Sequence, residues 1–154
     1  MKTKVKNVMT KKLITLPMGS TLLQADQVMK EKRIRHLPII DQNANIVGIL
    51  SEKDLSFIKD PESIPVEFFM AHHVEFVDQE MPLRSVILKM LENKISSVLI
   101  TDEIHEAVGI VTTDDLLWYL AHVLEKEKDD LSLSDFVSLQ TIGEAANQIS
   151  NVGL

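Results

Sequence analysis

The sequence repeats itself at a fixed interval of 61 residues, and this repeat limits the possible folds more than any other feature. The segment VGILSEKDL at 47–55 returns as VGIVTTDDL at 108–116. The same gapless shift aligns many further positions, among them Val5 with Val66, Met9 with Met70, Leu22 with Leu83, Met29 with Met90, Gly48 with Gly109 and Asp54 with Asp115. The chain is therefore a tandem duplication of one structural unit.

Each copy carries the same succession of local patterns. An apolar helical rhythm precedes a short apolar run, a polar turn, a second apolar run and a second helix. The apolar runs are HLPIID and IVGIL in the first copy, and SVLITD and AVGIV in the second. These patterns predict a β-α-β-β-α unit, whose long helix starts at Ser20 and Thr21 in the first copy and has Pro82 in its first turn in the second.

The two units are expected to form one α+β module. A unit of about 50 residues buries little surface alone, so we expect the copies to pack about a pseudo-twofold axis. The predicted boundaries are 1–60 for the first repeat, 61–124 for the second and 125–154 for a partly helical tail. The tail has apolar residues at helical spacing, namely Phe136, Leu139, Ile142, Ala146 and Ile149. That helix needs a partner, either its own module, a second copy or another protein.

Composition and missing motifs exclude several functional classes. A net charge of −7 argues against a nucleic-acid partner, and the absence of cysteine excludes disulfides and thiol nucleophiles. Thr15 and Pro17 interrupt the N-terminal apolar stretch, so no membrane span is expected and the predicted location is cytoplasmic. The five histidines lack metal-site spacing, and no hydrolase, phosphate-loop or dinucleotide motif is present. We therefore expect neither a metal site nor an enzyme.

The end of the second apolar run in each copy contains candidate ligand-binding residues. Gly48 and Gly109 leave room for another group to approach the backbone. Three residues after the hydroxyls of Ser51 and Thr112 come the carboxylates of Asp54 and Asp115, which can accept two hydrogen bonds from a vicinal diol such as ribose. The alternative is purely structural, because a hydroxyl and an acidic residue at this spacing also cap a helix.

The recurring motifs resemble a pair of CBS domains, the regulatory modules of cystathionine-β-synthase type. The resemblance covers roughly residues 5–122 and depends on the VMT or FMA segment, the LPIID-like strand and the G-h-x-[ST]-x-x-D turn, each present in both copies. It implies a cleft with up to two sites for adenosyl ligands such as AMP, ADP, ATP or S-adenosylmethionine, no required cofactor, and pairing into homodimers. It also implies that Ser51 with Asp54, and Thr112 with Asp115, hold ribose.

The resemblance further implies that each base is contacted by a loop of the opposite copy. These loops are Ile14, Thr15, Leu16 and Pro17 for the Asp115 site, and Glu75, Phe76, Val77 and Asp78 for the Asp54 site.

The two implied sites differ in charge. Relatives that bind phosphorylated nucleotides often carry a basic pair before the second strand, and Arg35 and His36 match it, whereas the second copy has serines there. We expect this pair to reach the phosphates of a nucleotide at Asp115, although Asp114 adds a carboxylate nearby, where the first copy has Lys53. The Asp54 site is then weaker, empty or suited to a less charged ligand. The alternative for the pair is a solvated helix end.

The expected function is that of a regulatory module which binds an adenosyl ligand without altering it. Occupancy would pass to an effector protein or to the geometry of a homodimer. Pairing across a twofold axis would cover outer helix faces, for which the candidates are Leu22, Leu23, Val86 and Ile87. The alternative is a structural dimerisation module that does not bind a nucleotide.

Overall fold

The computed structural model describes residues 3–56, 58 and 61–126. The described residues up to Leu116 form one compact unit, and residues 117–126 belong to a second. The helix predicted around Phe136 to Ile149 lies outside the described residues. The first repeat contains β1 (Leu16–Pro17), α1 (Leu22–Lys32), β2 (His36–Ile40), β3 (Ile46–Ser51) and α2 (Glu52–Leu55). The second contains β4 (Phe76–Asp78), α3 (Leu83–Glu92), β5 (Ser97–Thr101), β6 (Ala107–Thr112) and α4 (Thr113–Lys126).

The two repeats form matching three-stranded sheets, which confirms the predicted α+β class and the β-α-β-β-α order. The strand orders are β1-β2-β3 and β4-β5-β6, with the first pair parallel and the second antiparallel in each sheet. Ile39 pairs with Gly48 in one sheet, and Ile100 pairs with Gly109 in the other. The duplication thus fixes the strand register as well as the element order.

The starts of the long helices differ in detail from the prediction. Thr21 is the N-cap of α1, and its hydroxyl accepts from the Gln24 amide at 3.3 Å while the Gln24 side chain accepts from the Thr21 amide at 2.9 Å. Pro82 is the N-cap of α3 and not a residue of its first turn, because its ψ of 132° is extended rather than helical.

Each repeat completes the core of the other. Val66 and Met70 belong to the second repeat in sequence, yet they pack in the buried cluster built by the first repeat around Leu37 and Leu50. The start of the first repeat crosses over in turn, since the Val5 amide donates to the Met81 carbonyl at 3.0 Å. Burial of one such aliphatic side chain contributes about 1.5–3 kcal/mol, so the first repeat loses several kcal/mol of core burial without Val66 and Met70.

The expected outer helix faces are partly wrong. Leu22 and Val86 are fully buried, so they are core residues and cannot form an outer surface. The helical period places both on the inward face of their helices, and Leu22 packs in the buried cluster that contains Leu37 and Leu50. On α3, the exposed apolar side chains are instead Leu88 and Leu91, of which Leu91 is 68% exposed.

Candidate ligand-binding cleft

The glycine of each third strand accommodates the other repeat. The Thr10 amide donates to the Ile110 carbonyl at 2.9 Å, and the Ile110 amide donates back at 3.0 Å. A Cβ atom on Gly109 would lie 2.7 Å from the Thr10 carbonyl oxygen, and one on Gly48 would lie 2.8 Å from Cγ of Met70. The close approach expected at these glycines is therefore made by the protein itself.

The two turns share one geometry, which places a carboxylate beside each hydroxyl. The Ser51 amide and hydroxyl both donate to Oδ2 of Asp54 at 2.7 Å. The Thr112 amide and hydroxyl donate to Oδ2 of Asp115, also at 2.7 Å. The helix-capping alternative is thus real at both turns, and it uses one oxygen of each carboxylate. Only the second oxygen, Oδ1, is left for a ligand.

The second oxygens differ between the repeats. The Thr10 hydroxyl donates to Oδ1 of Asp115 at 3.0 Å. The residue that corresponds to Thr10 is Ala71, which has no hydroxyl, and Oδ1 of Asp54 accepts no hydrogen bond from the described residues. A carboxylate has about four acceptor positions, so Asp54 retains about two and Asp115 about one. Asp54 can accept both hydroxyls of a diol, whereas Asp115 can do so only after Thr10 turns away.

Asp54 lines a cavity of about 290 Å³ between the repeats. The second repeat contributes Ala71, His73 and Glu75 to its wall, so residues of both repeats line this cavity. Glu75 accepts from Nζ of Lys89 and from Nε2 of His73, both at 2.9 Å. These two hydrogen bonds, that of Lys89 first, hold the pKa of Glu75 below its usual value, so its carboxylate is ionised at neutral pH.

Three residues expected beside Asp54, namely Phe76, Val77 and Asp78, do not line its cavity. Val77 is only 3% exposed and belongs to the core, while Phe76 lines a different cavity, of about 510 Å³, near His105. The reason is the alternation of side chains along β4, which buries Val77 and turns Phe76 to the opposite face. Asp78 is exposed at the end of the same strand.

The loop expected beside Asp115 is largely structural. Ile14 and Leu16 are half-buried against the core of the first repeat, and Thr15 lines the cavity that contains Phe76. Pro17 pairs with Ile40 in the first sheet. The first-repeat side chain that contacts Asp115 is Thr10, and comparison of Thr10 with Ala71 in the aligned repeats is the sequence feature that singles it out.

The expected phosphate-binding pair has protein partners. Nε of Arg35 donates to Oδ2 of Asp114 at 2.9 Å, and its Nη2 contacts the other oxygen of the same carboxylate. Nε2 of His36 lies 2.8 Å from the Ser96 hydroxyl. Burial, followed by the Arg35 charge, lowers the pKa of His36, so its ring is neutral at pH 7. The pair contributes less free positive charge than its sequence indicates.

These residues line a central cavity of about 170 Å³ next to the Asp54 cavity. The two cavities share His36, Ser51, Lys53 and Ser96. Within residues 3–56, 58 and 61–126, no group of three or more histidine or acidic side chains is placed to hold a metal ion. None of the helices described in the same ranges is long and apolar enough to cross a bilayer.

The fold and the paired turns define a tandem module of CBS domains. The CBS domain family matches the chain twice, at residues 5–58 and 64–122, and the chain therefore belongs to this family. Among solved structures, the chain is similar to the CBS domain pair of protein MJ0100 in complex with 5′-methylthioadenosine and S-adenosyl-L-methionine. The identity is 28% and the TM-score 0.72, over 79% of this chain and 98% of that one.

Other relatives include both a longer enzyme and proteins of about this chain's length. An uncharacterised conserved protein from Pyrococcus horikoshii is 31% identical with a TM-score of 0.70, over 86% of this chain and 97% of that one. The L-aspartate semialdehyde sulfurtransferase of Methanocaldococcus jannaschii is 30% identical over 114 residues, or 74% of this chain and 22% of that protein. The chain thus spans about a fifth of that relative. A CBS domain-containing protein of Dictyostelium discoideum is 28% identical over 81% of this chain and 96% of its own length.

Proposed function

We propose that this chain is a regulatory module that binds an adenosyl ligand in the cleft between its repeats and releases it unaltered. The observation that carries the proposal is Oδ1 of Asp54, which has no donor among the described residues and belongs to a carboxylate that lines a 290 Å³ cavity. The related CBS pair that binds 5′-methylthioadenosine and S-adenosyl-L-methionine supports the same class of ligand.

Asp54 holds the ribose diol in this proposal, with Ser51 fixing its carboxylate. Lys53, Ala71 and Glu75 complete the wall of the cavity. Glu75 is an ionised acceptor suited to a ligand N–H group, because Lys89 and His73 keep it charged. Asp115 is the second site, and it opens when the Thr10 hydroxyl turns away. The acceptor count favours Asp54 as the first site to fill, whereas the sequence favours Asp115 for a phosphorylated nucleotide.

Calorimetric titration with adenosine, 5′-methylthioadenosine, S-adenosylmethionine, AMP and ATP tests the proposal. Asp54→Ala should weaken the tighter binding event by about 1.5–3 kcal/mol, the scale of a hydrogen bond to a charged group. Asp115→Ala should leave that event nearly unchanged. Chromatography of the same samples reports turnover, which we expect to be absent. If no adenosyl compound binds at millimolar concentration, the chain is not an adenosyl sensor.

Two exchanges between the repeats provide matched controls. Ala71→Thr places a hydroxyl beside Asp54 as Thr10 does beside Asp115, and it should weaken binding at Asp54. Thr10→Ala frees Oδ1 of Asp115 and should strengthen the second event. Equal effects of Asp54→Ala and Asp115→Ala would contradict the order of filling, and a dominant loss from Asp115→Ala would restore the preference drawn from the sequence.

Occupancy is transmitted, in our proposal, through a homodimer or an effector protein in the cytoplasm. Leu88 and Leu91 are exposed apolar residues of α3, and a second copy that packs on this helix would cover them. Light scattering at tens of micromolar protein tests the dimer, and a monomeric mass would contradict it. A dimer that binds no adenosyl compound would establish the alternative, a structural dimerisation module.

A further inference from the structure

The charges that line the central cavity balance. Lys53 and Arg35 contribute two positive charges, Glu52 and Asp114 contribute two negative charges, and His36 is neutral at pH 7. The remaining lining residues are serines and threonines. Because this cavity shares four residues with the Asp54 cavity, it is the polar space next to a nucleoside held there. A substituent of that nucleoside therefore meets an environment without net charge.

Asp114 is responsible for this balance. It occupies the Nε and Nη2 donors of Arg35, which are the donors that a phosphate group would otherwise take. The corresponding residue of the first repeat is Lys53, so the duplication has opposite charges at one position. The Arg35 and Asp114 side chains are about half exposed, at 54% and 47%, so they are open to a ligand and neither is needed for the core.

We propose that Asp114 determines ligand specificity by neutralising Arg35, so that the cleft selects adenosyl ligands whose 5′ substituent has no net charge over nucleoside polyphosphates. This inference depends on the proposed function, since it concerns the substituent of the same ligand. A thioether or a zwitterionic amino acid group fits such a cavity. A triphosphate does not, because it would have to separate Arg35 from Asp114 and then lie beside the released carboxylate.

A ligand series that keeps adenosine and changes only the 5′ charge tests the inference. Affinities of adenosine, 5′-methylthioadenosine, AMP, ADP and ATP are measured by calorimetry with EDTA, so that no divalent cation bridges Asp114 to a phosphate. For the unaltered chain, affinity should not rise with phosphate number. Asp114→Asn should strengthen ATP binding about tenfold by removing a negative charge next to the phosphates and freeing Arg35, with adenosine changed less than twofold.

The reciprocal variants separate charge from shape. Arg35→Ala leaves Asp114 unpaired and should weaken ATP further, while Arg35→Ala combined with Asp114→Asn should return ATP close to the starting affinity. Asp26→Asn is the matched control, because Asp26 pairs with Lys30 on α1 and carries the same charge outside the central cavity. Circular dichroism verifies that each variant is folded.

Inorganic tripolyphosphate distinguishes the two possible failures. If adenosine does not bind any variant but Asp114→Asn alone gains tripolyphosphate binding, the proposed function fails and the role of Asp114 stands. If adenosine binds and the ATP-to-adenosine ratio is the same in Asp114→Asn as in the unaltered chain, the role of Asp114 is refuted. A starting chain that binds ATP tenfold or more tighter than adenosine refutes it as well, as does the absence of any tripolyphosphate difference when adenosine does not bind.

Discussion

Gly109→Ala should destabilise the fold substantially more than the equivalent change Gly48→Ala. The new Cβ at position 109 would lie 2.7 Å from the backbone oxygen of Thr10 and 2.9 Å from Sδ of Met9. The Thr10 backbone cannot move away from Gly109 without breaking the two hydrogen bonds that Thr10 exchanges with Ile110, at 2.9 and 3.0 Å. At position 48, the atoms met are those of the Met70 side chain, which has three rotatable bonds.

The magnitudes follow from these neighbours. Overpacking costs about 1–3 kcal/mol, and loss of the two backbone hydrogen bonds adds about 0.5–1.5 kcal/mol each. We therefore expect Gly109→Ala to lower the free energy of unfolding by about 2–6 kcal/mol. Gly48→Ala requires the buried Met70 side chain to shift within the core but breaks no backbone hydrogen bond, and should cost about 1–2 kcal/mol. The unfolded-state effect of replacing glycine by alanine is similar in both variants and cancels in the comparison.

Urea unfolding followed by circular dichroism measures both losses, with the midpoint shift at constant slope reporting stability. The two variants should also differ at the cleft, through the hydrogen bond between Thr10 and Asp115. Displacement of Thr10 by Gly109→Ala should remove its hydrogen bond to Asp115, whereas Gly48→Ala leaves that bond intact. Equal losses of stability in the two variants would refute this prediction, because they would show that the Thr10 backbone at position 109 costs no more than the Met70 side chain at position 48.

Two further predictions concern pH and capping. The pKa of His36 is lowered in the folded state, so below about pH 6.5 the unfolded chain takes up the proton first and the stability present at pH 7 is lost as the pH falls. His36→Gln should therefore lose less stability between pH 7 and pH 5 than the unaltered chain. His72→Gln serves as the control, because His72 is exposed. If the free energy of unfolding falls with pH equally in His36→Gln and in the unaltered chain, the prediction is wrong. Thr21→Ala removes the hydroxyl that accepts from the Gln24 amide in the capping box of α1, and it should lower the free energy of unfolding by about 1 kcal/mol. Ser20→Ala should have a smaller effect. A larger loss from Ser20→Ala would mean that the cap is misassigned.

The sequence predicted the elements well because those depend on local pattern. The period of apolar residues fixes each strand and helix, and the duplication applies the same pattern twice, so the Ile39–Gly48 pairing has its counterpart at Ile100–Gly109. Burial was harder to predict. Leu22 and Val86 are apolar like any outer dimer residue, and only the packing of each helix on its sheet shows that they lie in the core.

Contacts across the repeats were the other feature that local pattern did not supply. A sequence shows that Arg35 is basic and that Asp114 is acidic, but it does not show that these residues, 79 positions apart, bind each other. The same holds for Thr10 and Asp115, which are 105 residues apart. Ligand sites in the cleft are built from such distant pairs, so the motif locates the carboxylates while the fold determines which of their oxygens are free.

The crossing of each repeat into the other has a consequence for how the protein is made. The N-terminal segment leaves the ribosome first, yet Val5 donates to Met81 and Thr10 exchanges hydrogen bonds with Ile110. At about 5–20 residues per second, translation needs roughly 5–20 s to proceed from Thr10 to its partner strand. During that interval Met9 has no Gly109 to pack on, and the first repeat lacks Val66 and Met70 until the second begins to emerge. Until the second repeat is nearly complete, the nascent chain therefore holds apolar side chains such as Val5 and Met9 without their final packing partners.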